Sequence, residues 1–375
     1  MGNVIGVLST NYTGAHYGEL IADRPVASIP FGGRYRLIDF PLSSMVNSGI
    51  NTVGVITPSN YRSLADHLNM GREWGLNTKQ GGMFLLPGAA HGLRVPNARF
   101  SLRDIILNKE FFERADEETV LICAANRIYN MDFRPAIAQH EASGAEVTMI
   151  YKVLSDSRTG SAMGLFLDLD ENGRVTGIDD ASVPTGPVNM GGAIFLDSML
   201  ISRQLILDFI DCYGNLDYVD LTDILAENLD RLQIHSWRYD GYEHAVDHAQ
   251  DYLLVSQDLL RPEIQEELFP ADRPILTKTQ DSPPAKYLPG ASVKNSMVAA
   301  SCILAGTVEN SILFRNVTIG EGAVVRNCVL MQHVEIGPGA VVENLICDKN
   351  VSIGAGVKLS GSMDKPFVIP KRRVC

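Results

Sequence analysis

The sequence predicts an α/β protein of two domains: a Rossmann-like domain with a mainly parallel sheet over residues 1–250, and a left-handed parallel β-helix of the hexapeptide type over residues 291–375. A helix and a proline-rich connector over residues 251–290 are expected to join them. Three observations carry this expectation. Apolar runs alternate with helical stretches in the first two thirds, a 17-residue repeat fills the last third, and prolines crowd the segment between.

In chain order, Val4 to Leu8 reads as a strand. After a loop, Leu42 to Asn47 leads into Thr52 to Thr57, a helix is expected through Tyr61 to Met70, and Thr119 to Ala124 is the next apolar run. Alternation of this kind points to βαβ units. Such sheets bind ligands at the carboxyl ends of their strands, which directs attention to the loops after Leu8 and Ala124. Asp251 to Leu260 reads as a helix leaving this domain. Arg261-Pro262, Phe269-Pro270, Arg273-Pro274, Pro283-Pro284 and Leu288-Pro289-Gly290 then predict an extended connector.

The repeat is explicit. Ile319-Gly320-Glu321-Gly322-Ala323-Val324 returns as Ile336-Gly337-Pro338-Gly339-Ala340-Val341 and Ile353-Gly354-Ala355-Gly356-Val357, with a period of 17. Val308-Glu309-Asn310, Val325-Arg326-Asn327 and Val342-Glu343-Asn344 share that period, after a looser copy at Val293-Lys294-Asn295. Three hexapeptides per coil is the mark of short strands stacked around a narrow apolar prism, with glycine at the corners. About four coils make a short helix suited to packing against another domain or subunit. His333, the only histidine there, is expected at a solvated corner rather than in a catalytic role.

Apolar residues at 45% and charged residues at 20% describe an ordered globular chain. A net charge of −12 excludes general affinity for nucleic acid, so an anionic ligand needs a local basic pocket. Six cysteines without a C-x-x-C pair argue against a disulfide framework or a zinc site. The N-terminus enters a strand without a basic region or cleavage site, and no apolar run reaches the length of a membrane span; a cytoplasmic location is expected. No Walker loop and no local Ser/His/Asp motif is present.

The run Pro30-Phe31-Gly32-Gly33-Arg34-Tyr35-Arg36-Leu37-Ile38-Asp39-Phe40-Pro41-Leu42-Ser43-Ser44, continuing to Asn47-Ser48-Gly49-Ile50, closely resembles a segment of bacterial glucose-1-phosphate adenylyltransferases, the ADP-glucose pyrophosphorylases. With the β-helix, the resemblance spans nearly the whole chain. It implies a tetrameric assembly and the transfer of an adenylyl group from ATP to glucose 1-phosphate with Mg²⁺, in glycogen synthesis. That chemistry requires cations on the phosphates and carboxylates on the metal.

Carried over position by position, those groups are missing. The family's glycine-rich loop falls on Asn11-Tyr12-Thr13-Gly14-Ala15-His16-Tyr17, where Gly14 is the one glycine kept and His16 stands for the arginine. Its phosphate lysine becomes Val26. The Gly-Thr-Ala-Asp segment becomes Phe100 to Asp104, with Asp104 open to a helix-start role. Its Gly-Asp-His-Ile-Tyr becomes Ala125-Asn126-Arg127-Ile128-Tyr129, so the metal aspartate is Asn126 and a cation, Arg127, follows it. The second metal carboxylate falls on His244 or Ala245, with Glu243 or Asp247 as substitutes only if the backbone shifts. The sugar lysine is lost at Asp180-Ala181-Ser182, while Asn189-Met190-Gly191-Gly192 still resembles the sugar-side loop.

The resemblance therefore implies no catalytic residues in this chain, with Asn126, Val26 and His16 at the family's catalytic positions. It implies a relict substrate pocket of Gly14, Asp104, Asn126, Arg127, Asn189 and Gly191, no bound metal, and no cofactor for the chain alone. The chain is most similar to the degenerate GlgD-type subunit, a regulatory partner of the Mg²⁺-dependent catalytic subunit in a heterotetramer. Arg24 and Arg36 match the family's cleft for a phosphorylated-sugar effector, joined by the tail Lys371-Arg372-Arg373; the alternative is that they form inter-element ion pairs. An active transferase with a rearranged site and a sugar-phosphate-binding module remain the other readings.

Overall fold

A computed structural model describes residues 3–11, 18–89, 98–154, 164–180, 191–216 and 219–375. Apolar runs place a parallel array at the centre of the N-terminal sheet. β1 (Val4–Ser9) lies between β2 (Thr52–Thr57) and β4 (Thr119–Ala124), and β3 (Gly82–Pro87) pairs with β2, all parallel. Alternate residues serve opposite faces. Ile5, Val7, Val120 and Ile122 enter one core, while Val4, Leu8, Leu121 and Cys123 enter the other. Burial on both faces is why these strands read as unbroken apolar runs.

The helices that cover each face follow from their own apolar spacing. α1 (Asp39–Asn47) sets Leu42 and Met45 on one core, and α2 (Arg62–Leu68) adds Leu64 and Leu68. On the other core lies α3 (Leu102–Leu107), through Leu102 and Ile105. The chain then makes the short strand β5 (Arg127–Tyr129), β6 (Val147–Val153), β7 (Leu165–Leu169), β8 (Val175–Asp180) and the long β9 (Ala193–Ser202). β9 runs antiparallel to β4, β6 and β7, and extends the parallel array into a mixed flank. β10 (Ile234–Arg238) closes that flank parallel to β6, and β11 (Glu243–Ala245) leaves the sheet to pair with β5.

α4 (Ala249–Asp258) is the expected exit helix. The next segment is not wholly extended, because α5 (Pro262–Leu268) forms there. Pro262 occupies the first helical turn, where its missing N–H has no intrahelical partner to lose, so a proline taken as a breaker starts a helix instead.

The C-terminal repeat folds into three five-stranded parallel sheets, consistent with a left-handed β-helix. The register follows the 17-residue period: Val308, Val325 and Val342 stack in one sheet, and Ile319, Ile336 and Ile353 in another. Asn295, Asn310, Asn327 and Asn344 turn successive corners at φ between 41° and 54°. Each side-chain amide donates to the next coil, at 2.8, 3.3 and 3.0 Å, and Asn344 caps the ladder on the Gly361 carbonyl at 3.0 Å. At Gly337 a Cβ would lie 2.6 Å from the Ala355 nitrogen, so no larger residue fits that coil. His333 is exposed at a corner with φ 60°. All six cysteines are free, four of them buried.

One face of the prism is covered. Ile312, Val329 and Ile346 share a core with Leu20, Val26 and Phe31 of the N-terminal domain and with Leu253 and Leu259 of the joining segment. The two domains are thus joined through apolar burial, and polar groups line the edge of the joint. No helix among the described residues is long and apolar enough to cross a membrane.

Candidate functional site

The loop after β4 meets β11 at the carboxyl end of the sheet. β5 and β11 form an antiparallel ribbon with Arg127 opposite Ala245 and Tyr129 opposite Glu243. The Val246 N–H donates to the Asn126 carbonyl at 2.8 Å and fixes the register. In that register Asn126 lies opposite Val246, and its Nδ2 reaches the next carboxylate, donating to Asp247 Oδ1 at 2.7 Å. The carboxylate that reaches Asn126 is therefore Asp247, whereas His244 turns its ring Nδ1 to the Ala245 carbonyl at 2.7 Å.

Arg127 is only 2% exposed. Its Nε and Nη2 donate to Asp197 Oδ2 at 2.8 and 2.6 Å, its Nη1 to Glu243 Oε1 at 2.6 Å, and its Nη2 also to the Phe195 carbonyl at 3.2 Å. Arg99 approaches Asp197 Oδ1 from the other side at 2.8 Å. Burial acts against the Arg127 charge, yet Asp197, Glu243 and Asp247 outweigh it and hold the guanidinium protonated more firmly than in water. Burial pushes the Asp247 carboxyl up, and Arg127 opposes that rise.

Two of these partners were missed as site residues. For Asp197 a local signal existed, because it is the one carboxylate in the apolar strand Ala193–Ser202. It sits at φ 45°, where the β9–β6 register shifts between Phe195 and Met199. That bulge turns its carboxylate toward Arg127. Arg99 carries no local signal at all, since its role depends on a partner almost a hundred residues away.

This donor set does not suit Mg²⁺. A hard dication needs several oxygens at octahedral positions. Here Asp197 and Glu243 already neutralise Arg127, and Asn126 presents an N–H to the remaining carboxylate. Asn126 Oδ1, which is buried, has no hydrogen-bond partner among the described residues, and a lone amide oxygen beside a fixed guanidinium is a poor anchor. Among the described residues no group of three or more His, Cys, Asp or Glu side chains could hold a metal.

The other predicted pocket residues are scattered. Asp104 lies in the first turn of α3, and its carboxylate accepts from the Ala89 N–H at 2.6 Å and from Asn11 Nδ2 at 3.0 Å, so it ties the loops after β1 and β3 together. Phe100 fills the former glycine position with a buried ring 6.4 Å from that of Phe195. Val26 is buried in the apolar core between the domains. Gly191 donates its N–H to the Leu154 carbonyl at 3.1 Å and is exposed. Gly14, His16 and Asn189 lie outside the described residues.

Residues 20–200 match the nucleotidyl transferase family, and residues 283–365 match the GlmU-like C-terminal hexapeptide family. The chain is 39% identical to a glycogen biosynthesis protein GlgD of Geobacillus stearothermophilus, over 99% of this chain and 97% of that one. It belongs to the glucose-1-phosphate adenylyltransferase family. Bacillus subtilis GlgD is 30% identical over 85% of this chain and 81% of its own. A glucose-1-phosphate adenylyltransferase of Thermotoga maritima is 32% identical over 87% and 77%.

Apart from the Arg127 cluster, a cavity of about 480 Å³ lies between the domains. Arg34, Arg36, Lys278, Arg315 and Lys349 line it with Asp66 and Asp281, a surplus of cations in a chain that is acidic as a whole. Arg36 turns its Nη1 onto the Ser63 carbonyl at 2.6 Å and remains in the lining. Burial pulls its charge down, partly offset by Asp39. Arg24 is placed differently: it is buried and paired with Asp348 across the domain joint. Lys371 faces Asp23 at 3.7 Å, outside the cavity lining.

Proposed function

We propose that this chain is a non-catalytic or weakly catalytic regulatory subunit of an ADP-glucose pyrophosphorylase, acting in glycogen biosynthesis in the cytoplasm. Its catalytic partner would convert ATP and glucose 1-phosphate to ADP-glucose and pyrophosphate, would hold the Mg²⁺ this chain lacks the ligands for, and would complete a heterotetramer. The observation that carries this reading is the position of Arg127. A permanent side-chain cation sits among Asp197, Glu243 and Asp247, where the reaction needs an exchangeable dication with room for phosphate oxygens. Loss of a single preorganised electrostatic partner lowers a rate by about 10²- to 10³-fold. Here the metal carboxylate, the phosphate lysine and the sugar lysine are absent together.

The fold and the cleft between its domains supply what a regulatory subunit needs. Arg36, with Arg34, Lys278, Arg315 and Lys349, forms a cationic site for a phosphorylated sugar, and Arg24 braces its wall rather than contacting ligand. The covered β-helix face supports a rigid joint, through which an occupied cleft can alter the surface offered to a partner.

The test compares the purified chain, the catalytic subunit, and the two co-expressed, each supplied with ATP, glucose 1-phosphate and Mg²⁺. Pyrophosphate release is expected only where the catalytic subunit is present, with turnover or effector affinity altered by this chain. Brisk release by this chain alone would overturn the silent-site reading, and identical kinetics with and without it would overturn the regulatory one.

A further inference from the structure

The cationic cleft contains one group unlike its neighbours. Lys349 is half-buried where the β-helix meets the N-terminal domain. The acid that precedes it in sequence, Asp348, is committed elsewhere: the carboxylate pairs with Arg24 and accepts the Lys349 backbone N–H at 2.6 Å. Among the described residues no carboxylate lies within ion-pair distance of the Lys349 ammonium.

The surroundings are otherwise cationic. Arg36 faces Lys349 from the N-terminal domain, with Asp66 and His67 beside it, Lys278 and Asp281 from the connector, and Arg315 from a neighbouring coil. Arg24 and Lys371 lie behind it, with Lys371 facing Asp23. Burial pushes the Lys349 ammonium down to about 8, Arg36 and Arg24 push the same way, and Asp348 opposes them. Arg36 and Arg315 cannot relieve that repulsion by losing a proton at physiological pH, because guanidinium groups stay charged. Lysine can.

We propose that Lys349 takes up a proton from solvent as a phosphate-bearing ligand enters the cleft, so that this site responds to pH as well as to ligand. The proposal rests on reading the cleft as an anion site. A dianion placed among Arg34, Arg36 and Arg315 replaces repulsion by attraction at the lysine nitrogen, and the amine becomes an ammonium that donates to the ligand. The sign follows from linkage. Because the bound state holds the proton more tightly, affinity is highest below pH 8 and weakens as pH rises through it.

Sulfate is a suitable probe because, unlike a phosphate ester, it does not titrate near neutrality. The full chain would be titrated with sodium sulfate at pH 8 by calorimetry, in two buffers of different ionisation enthalpy. Proton uptake below one per bound sulfate is expected, since burial and the neighbouring cations push the free Lys349 ammonium down toward this pH. K349R should bind sulfate with no uptake, because its charge is permanent. K349Q should bind roughly tenfold more weakly at pH 7 through loss of a charge-assisted hydrogen bond, and should lose the pH dependence.

Sulfate binding without proton uptake, or the same uptake in K349R, overturns the coupling and leaves the anion site standing. No binding of sulfate overturns both. The two failures are therefore distinguishable.

Discussion

Replacing Arg127 by methionine tests whether this guanidinium is the internal counter-cation of the carboxylate cluster at the β5–β11 ribbon. The substitution keeps a long apolar stem and removes contacts at 2.6, 2.6, 2.8 and 3.2 Å. Asp197 keeps Arg99 at 2.8 Å, while Glu243, which is 5% exposed, loses its contact with the Arg127 Nη1. Removing one partner from a buried ion pair costs about 3–5 kcal/mol. A urea or thermal transition of the full chain would read the loss, roughly 2–4 °C per kcal/mol for a domain of this size. The pH dependence supplies the second arm. Burial already raises the Asp247 carboxyl and Arg127 restrains it, so without Arg127 it rises further. A carboxyl raised in the folded state lowers stability above its folded value, and that deficit disappears as pH falls through it. R127M should therefore be most impaired near pH 8 and less so near pH 5. A loss under about 1 kcal/mol, the range of a surface substitution, or equal losses at both pH values would refute the reasoning.

Four further outcomes follow from the same structure. Restoring the family's pair with N126D/R127H should create Mg²⁺-dependent stabilisation of about 1.4 kcal/mol when Mg²⁺ is tenfold above its Kd, read as a melting shift that the unaltered chain lacks. R24M or D348N alone should destabilise the domain joint by about 3–5 kcal/mol, and R24M/D348L should recover most of that loss because both charges leave together; thermal melts of the three variants decide it. N327A breaks two rungs of the asparagine ladder and puts a Cβ residue at φ 49° without a compensating side-chain bond, for an expected loss of about 2 kcal/mol in urea denaturation. His140, pushed down to about 4 by burial, binds its proton less readily folded than unfolded, so stability should fall between pH 6.5 and 4. H140Q, which keeps a polar group near Thr148, should flatten that slope by up to about 1.4 kcal/mol per pH unit.

The fold was readable where burial imposes a period. Ile319, Ile336 and Ile353 point into one prism because each coil repeats its predecessor, and that regularity shows in the sequence as directly as in the sheets. Val4 to Leu8 and Thr119 to Ala124 were readable because both faces of the central strands are covered. Pro262 misled because proline breaks helix interiors yet suits a first turn, and the difference depends on which residue precedes the helix. The candidate site divides in the same way. Asn126 and Arg127 could be placed through contiguous motifs, whereas Asp247, Asp197 and Arg99 reach them only through a β-ribbon register, a bulge and a long-range ion pair. Arg315 and Lys349 joined the cleft unannounced, since they sit on coils whose motifs are written by the prism interior and not by the ligand face.

An arginine held among these carboxylates has a consequence for the junction of β4, β9 and β11. In a site built for Mg²⁺, the carboxylates repel one another until the ion arrives, so order at the β4, β9 and β11 junction depends on a ligand that can leave. Arg127 is covalently attached and remains charged across the physiological range, so Asp197 and Glu243 stay neutralised whatever the Mg²⁺ or nucleotide concentration. A junction that does not respond to substrate is a handicap for an enzyme. If the chain is the regulatory subunit proposed above, the cationic cleft, with Lys349 as its adjustable charge, would be the region that responds to ligand, separate from the fixed junction at Arg127.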